Sequence, residues 1–369
     1  MKTGTKIIAG SVAVASLAGL KVFYDVNYGT KRNIRYIEKK IKPLRKTKPR
    51  CEYEDDGSYA LIKDKYDTFK ILQLSDMHIG GGWLSVNEDQ FAIDTISELV
   101  HKTQPDLVVI TGDLVYSRPK TTFNMNNLNS MRIIAKLMEK LDVWYTVTFG
   151  NHDAEYFATH TRSEVKEFFM NQRHCLLTDP NPEVTGESNH IVKIRNDDGT
   201  LNNAMIMIDS NSYPEAMGKG GYDCIHDDQV EWYETQMNKL KEEENGNNNS
   251  LLFTHIPLKE YSKAWKLYKN NNDKVKYFIG NAEEKISYSK YASRIFDVLL
   301  ECGGTKGIFC GHDHLNDFSI EYKGIRLTYS KSLDCLLYAK NLSGHRGGTV
   351  IELDYDGTFT VEHISNKMG

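Results

Sequence analysis

The chain has 369 residues, 40% of them hydrophobic and 26% charged, which is enough apolar sequence for one large α/β domain or two small ones. The net charge of −4 hides an asymmetry: residues 1–50 carry 13 Lys/Arg against Asp25 and Glu38, a net +11, and the remainder carries −15. An acidic body argues against nonspecific nucleic-acid binding, which needs a basic surface, whereas the basic segment suits anionic lipid headgroups.

The six cysteines (Cys51, Cys175, Cys224, Cys302, Cys310, Cys335) are scattered without a Cys-x-x-Cys pair. They predict neither a zinc thiolate site nor a disulfide framework. At the N-terminus, Lys2 and Lys6 precede an apolar stretch from Ile7 to Leu20, and Lys21 interrupts it before Val22-Phe23-Tyr24. Residues 1–24 therefore read as a retained membrane anchor or a signal segment. The length suits a short span, and Ala13-Val14-Ala15 offers a cleavage site. Residues 25–66 read as a basic linker. Ten Lys/Arg in residues 31–50 favour the cytoplasmic face for the downstream domain under the positive-inside rule; a signal-type reading places it outside.

Residues 67–369 read as the main domain. Short apolar strands alternate with polar-faced helices, implying a largely parallel sheet of an α/β fold. The predicted strands are Lys70–Leu74, Leu107–Thr111, Trp144–Phe149, Ala204–Ile208, Leu251–Thr254 and Gly307–Cys310. The predicted helices are Glu88–Lys102, Asn129–Leu141, Ser163–Asn171, Asp227–Glu243 and Tyr288–Cys302. After residue 318 the pattern becomes antiparallel, with Asp356-Gly357 as a hairpin turn. The long segment between His255 and Tyr288 suggests a lid or cleft wall.

Five of the central strands end in polar groups: Asp76, Asp113, Asn151, His255 and His312. In open α/β sheets the ligand site lies beyond the carboxyl ends of the strands, so these residues are expected to converge. Each cluster alone is a weak signal, and Gly112-Asp113 by itself would be an ordinary turn. Gly311-His312-Asp313-His314 is stronger, because two histidines two apart after a buried strand have few structural uses. The oxygen and nitrogen donors suit Mn, Fe or Zn, and two cations sharing a carboxylate describe a two-metal hydrolase.

With these motifs in order, the chain resembles the calcineurin-like metallophosphoesterases over roughly residues 68–353. It looks most like their small purple-acid-phosphatase-like branch, through Leu74-Ser75-Asp76-Met77-His78, the run Val147 to Glu155 that contains Gly150-Asn151-His152-Asp153, His255-Ile256-Pro257 and the run Gly311 to Asp317. The resemblance implies a sandwich of mixed β-sheets flanked by helices. It also implies a first metal on Asp76, His78, Asp113 and His314, and a second on Asp113, Asn151, His255 and His312. His152 is implied to face the substrate, and Asp153 to orient it. Gly112-Asp113-Leu114-Val115-Tyr116 also fits the pattern in which a tyrosinate binds iron. His78 already completes the first metal's side chains, so Tyr116 reads rather as a packing or substrate-facing residue.

The remaining histidines read as ordinary. His345-Arg346-Gly347-Gly348 reads as a turn into a strand or as a cation for phosphate. Tyr213, Tyr222 and Trp232 read as core or surface, with cleft lining as the alternative. The expected function is phosphomonoester hydrolysis by a bimetal-activated water in a membrane-tethered protein. The alternatives are a phosphodiesterase or pyrophosphatase acting on a lipid- or nucleotide-type substrate, and an inactive metal-binding scaffold.

Overall fold

The computed structural model describes Gly19 and residues 27–214, 220–337 and 345–366. Apart from Gly19, the anchor or signal segment lies outside the described residues. No helix among the described residues is long and apolar enough to cross a membrane.

Helix α1 occupies residues 27–40, followed by β1 (Arg50–Tyr53), β2 (Tyr59–Lys63), β3 (Phe69–Leu74) and α2 (Val86–Thr103). Next come β4 (Leu107–Thr111), α3 (Pro119–Thr122), α4 (Asn127–Leu141), β5 (Tyr145–Thr148) and α5 (Arg162–Met170). The central part holds β6 (His190–Asn196), β7 (Leu201–Met207), α6 (Asp227–Glu243), β8 (Ser250–Phe253) and α7 (Lys259–Lys269). The chain closes with β9 (Val275–Ile279), α8 (Ile295–Cys302), β10 (Thr305–Cys310), β11 (Ser319–Tyr322), β12 (Ile325–Tyr329), β13 (Gly347–Leu353) and β14 (Phe359–Ser365).

The strands form two sheets, not the single largely parallel sheet that the alternating pattern implied. One is nine-stranded, in the order β1-β2-β6-β7-β8-β10-β12-β11-β9; the other is five-stranded, in the order β14-β13-β3-β4-β5. Both are mixed: β3, β4 and β5 run parallel and so do β7, β8, β10 and β12, whereas the outer hairpins run antiparallel. Sequence periodicity reports burial on each face but carries no pairing partner, so two stacked sheets and one long sheet read alike.

Side-chain alternation builds the layers. Ile71 and Val109 point into the core between the sheets with Met205, Met207, Phe253 and Phe309. Their neighbours Leu72, Val108 and Ile110 point outward against residues of α1, α2 and α4. The outer face of the larger sheet packs on Val230, Tyr233, Met237, Phe296 and Leu299 of α6 and α8. The fold is thus α/β with two mixed sheets flanked by helices.

Two expectations need correction. The segment expected as a basic linker is, from residue 27, part of the body: Ile37, Ile41 and Leu44 are buried in the helical core, and β1 and β2 extend the large sheet. Its lysines and arginines masked an amphipathic spacing of Ile37, Ile41 and Leu44. The segment between His255 and Tyr288, expected as a lid or cleft wall, consists largely of packed helix α7 and edge strand β9 rather than of a lid. Tyr261 of α7 is fully buried, with its hydroxyl donating to the Ile308 carbonyl at 2.7 Å.

Candidate metal centre

The carboxyl ends of β3, β4 and β5 from one sheet meet those of β8 and β10 from the other. Asp76 and His78 follow β3, Asp113 follows β4, Asn151 and His152 follow β5, His255 follows β8, and His312 and His314 follow β10. The sheets are stitched at this edge by Gln73, whose amide donates to Thr111 Oγ1 at 2.9 Å and to the Cys310 carbonyl at 3.2 Å.

The donor atoms of Asp76, His78 and His314 lie within 4.8 Å of one another, and so do those of Asp113, His255 and His312. Between them stand His78, Asp113 and His152 in a third such group. Asp113 Oδ2 is 3.3 Å from His78 Nε2 and 3.2 Å from His255 Nε2, so one carboxylate oxygen faces both clusters. The other oxygen, Oδ1, accepts from the His152 backbone N–H at 2.8 Å. Asp76, His78, Asp113 and His312 all have positive φ, at 53°, 47°, 48° and 79°. This conformation costs an L-residue roughly 1–2 kcal/mol, and such strain concentrates at functional sites. The glycines of the motifs have a steric reason. A Cβ on Gly112 would strike the His255 ring, and one on Gly150 would strike the Asp113 carboxylate and backbone N.

The cluster is buried, and its charges are strongly coupled. Burial alone would raise the Asp113 pKa, but the His255 and His152 imidazoles hold it well below the carboxylate range. Burial disfavours the His255 cation, yet the Asp113 carboxylate lifts its pKa to about 9. Burial beside His255 holds His312 well below the usual imidazole value. Cations entering this site would take the place of protons on such imidazoles.

The donor set fits metal ions by a second test. Asn151 Oδ1 and His312 Nε2 are buried without a hydrogen-bond partner. The Asn151 amide nitrogen donates to the Tyr213 hydroxyl at 3.0 Å, which leaves its oxygen for a cation. His255 Nδ1 lies 2.9 Å from the Thr111 carbonyl, so in the neutral ring Nε2 is the nitrogen left for a cation. These buried His/Asp clusters are consistent with a binuclear metal site.

Of the residues expected at the site, Asp153 behaves differently. It does not touch His152: its carboxylate accepts from the backbone N–H of Gly150 at 2.7 Å and of Val115 at 3.2 Å. Burial, with the Asp113 charge nearby, pushes its pKa up to about 6. The carboxylate on His152 is Glu155, 2.6 Å from Nδ1, with Arg118 Nη2 also 2.6 Å away. Glu155 stands in the same motif as His152, yet the sequence assigns it no role, because sequence distance does not distinguish the third residue of a turn from the first.

Asp334 has no counterpart among the residues expected from the sequence. It is fully buried, with Oδ2 3.5 Å from His78 Nδ1 and 3.1 Å from His314 Nδ1. Its Oδ1 accepts from the backbone of Leu336 and Leu337 at 2.7 and 2.9 Å. Burial alone would raise the Asp334 pKa, but the His78 imidazole holds it well below the usual carboxylate range. Carboxylates behind metal-ligating histidines fix tautomer and ring orientation. Asp334 belongs to no ligand-like cluster in the sequence. Tyr116 packs its ring 5.6 Å from that of His78 and 5.2 Å from that of His152, and burial raises its phenol pKa.

Comparison with known proteins agrees with this arrangement. The family model described as "Calcineurin-like phosphoesterase" matches residues 69–316. "Probable inactive purple acid phosphatase 14" of Arabidopsis thaliana is 30% identical over 75% of this chain and 73% of its own length. "Probable inactive purple acid phosphatase 29" of the same plant is 29% identical over 74% and 73%. "Phosphatase DCR2" of Saccharomyces cerevisiae is 26% identical over 72% of this chain and 47% of its own length. The order of motifs, their convergence at one edge and the family match agree, and the chain belongs to the calcineurin-like phosphoesterases.

Proposed function

We propose that this protein hydrolyses phosphomonoesters with a water activated between two metal ions. The observation that carries the reading is the Asp113 oxygen placed 3.3 Å from His78 and 3.2 Å from His255. Asp76, His78, Asp113 and His314 would hold one ion, and Asp113, Asn151, His255 and His312 the other. Two cations there supply a nucleophilic water and charge neutralisation for the phosphoryl oxygens. The protein groups do the rest. His152, with Nδ1 taken by Glu155, is left with Nε2 to protonate the departing oxygen. Glu155, itself paired with Arg118, fixes the tautomer and turns the ring. Asp153 holds the loop that carries Asn151 and His152.

A second reading is a metal-binding scaffold without turnover. It is favoured by the names of the two plant relatives, which call them probable inactive. Retention here of every expected donor and of His152 favours catalysis instead. The test compares p-nitrophenyl phosphate with bis-p-nitrophenyl phosphate on the metal-loaded chain, with His152→Ala as control. Monoester turnover that collapses in the variant supports the proposal. Diester turnover alone replaces it with a phosphodiesterase, and metal binding without any turnover replaces it with the scaffold.

A further inference from the structure

The basic run near the N-terminus does not hang from the body. Helix α1 and the segment after it are docked on the body: Ile37 of α1 and Ile41 and Leu44 beyond it are buried, and Tyr36 donates to Asp94 at 2.6 Å. The Asn33 side chain, fully buried, donates to Asp89 Oδ2 at 2.8 Å. Thr30 donates to the Gly81 carbonyl at 2.9 Å. These contacts leave Arg32, Arg35, Lys39 and Lys40 of α1 exposed, with Lys42 and Arg45 exposed just after it.

The structure adds a second basic stripe that the sequence hides. Arg132, Lys136 and Lys140 recur every four residues along α4, so they share a helix face. Lys136 Nζ reaches Glu38 Oε1 of α1 at 3.0 Å, which sets this stripe beside α1 and neutralises that helix's acid. The acids at the far end of α4 are engaged as well. Asp142 pairs with Lys48 at 2.5 Å, and Glu139 pairs with His174 at 2.9 Å. A protein whose residues after position 50 total −15 thus gathers positive charge on one two-helix face. Six residues separate the apolar stretch Ile7–Leu20 from residue 27, the first described residue of α1. Even fully extended, that connection spans only about 25 Å.

We propose that α1 and the outer face of α4 form a docking platform for an anionic lipid surface, with the catalytic body carried rigidly on it. The proposal is independent of the reaction catalysed. The ligand chemistry is a sheet of phosphate- and carboxylate-bearing headgroups, which rewards a flat array of cations more than any single pair. Rigidity is the essential claim. A flexible basic tether would use the α1 charges and ignore those of α4, which lie some ninety residues further along the chain.

The test uses the full chain with vesicles of phosphatidylcholine alone and of phosphatidylcholine with phosphatidylserine. The ratio of binding to the two removes the contribution of the N-terminal apolar stretch. One variant carries Lys39→Gln, Lys40→Gln and Lys42→Gln; another carries Arg132→Gln and Lys140→Gln, far from the basic run in sequence. An unchanged thermal midpoint confirms that each variant is folded. The platform predicts that the ratio exceeds one, falls with salt, and drops about fivefold per charge removed in both variants. A loss confined to the α1 variant would show a tether and overturn the platform. A ratio near one for the unmodified chain, or equal competition by single-stranded RNA, would overturn the lipid assignment.

Discussion

His152 Nδ1 and Glu155 Oε1 stand 2.6 Å apart, and Asp153, the neighbour of His152, faces away into the backbone of its own loop. The two carboxylates therefore have separable jobs. Glu155→Ala should lower kcat about 10–100-fold with both metals still bound, since the imidazole loses its orienting partner. Asp153→Asn should act differently, because an amide offers one acceptor oxygen where two backbone N–H groups need one each. A lowered thermal midpoint with weakened metal binding is expected. If Asp153→Asn spared stability and abolished turnover alone, the division of roles would be wrong.

Asp334 stands behind both His78 and His314, on the side of Nδ1. Its removal should loosen two ligands of one ion together. Asp334→Asn is expected to weaken the binding of that ion about 10–100-fold, read by metal competition with a chelator. The ion on His255 and His312 should hold as before. Equal weakening of both ions, or of neither, would contradict the geometry.

Much of this was legible in the sequence, for a physical reason. A metal ligand at a strand end leaves a mark, because an apolar run stops abruptly at a polar group. Asp76, Asp113, Asn151, His255 and His312 stand out that way, and the structure brings them to one edge. Groups that act from behind leave no such mark. Asp334 sits beyond a loop with nothing ligand-like around it. The strands β1 and β9 escape the sequence pattern because they are edge strands without a fully buried side chain, so no apolar alternation marks them. Helix α1 reads as a linker because its charge density drowns three buried apolar positions.

Helix α1 gives a direct prediction for truncation. Deleting residues 27–49 would remove Ile37, Ile41 and Leu44 and uncover the core that they cover. Burial of three such side chains contributes about 5–8 kcal/mol, comparable with the whole net stability of a domain. A chain beginning at residue 51 should therefore be insoluble or molten, and Ile37→Ala alone should cost about 2–5 kcal/mol. Cooperative unfolding of the truncated chain at the full-length midpoint would refute the integral role of α1.

His190 sets an acid limit on stability. It is fully buried, near Ser188 O at 3.0 Å and Thr146 Oγ1 at 2.5 Å. Burial lowers its pKa to about 4. The folded state keeps the ring neutral while the unfolded chain protonates it near 6.5. Stability from this group is thus complete above about pH 6.5 and lost as pH falls toward 4. The loss amounts to about 3 kcal/mol for the shift involved. His190→Gln should flatten the pH dependence of the denaturant midpoint across that window; an unchanged slope would argue against a buried neutral imidazole.

In the proposed function two ions meet at Asp113 and both are needed for turnover. The most direct measurement strips the full chain of metal and titrates it with manganese. Bound metal and p-nitrophenyl phosphate turnover are followed together. Turnover is expected to rise with the second equivalent and saturate at two ions per chain, and Asp113→Ala to abolish both. Two ions bound with no turnover, or full turnover with one, would contradict this reading.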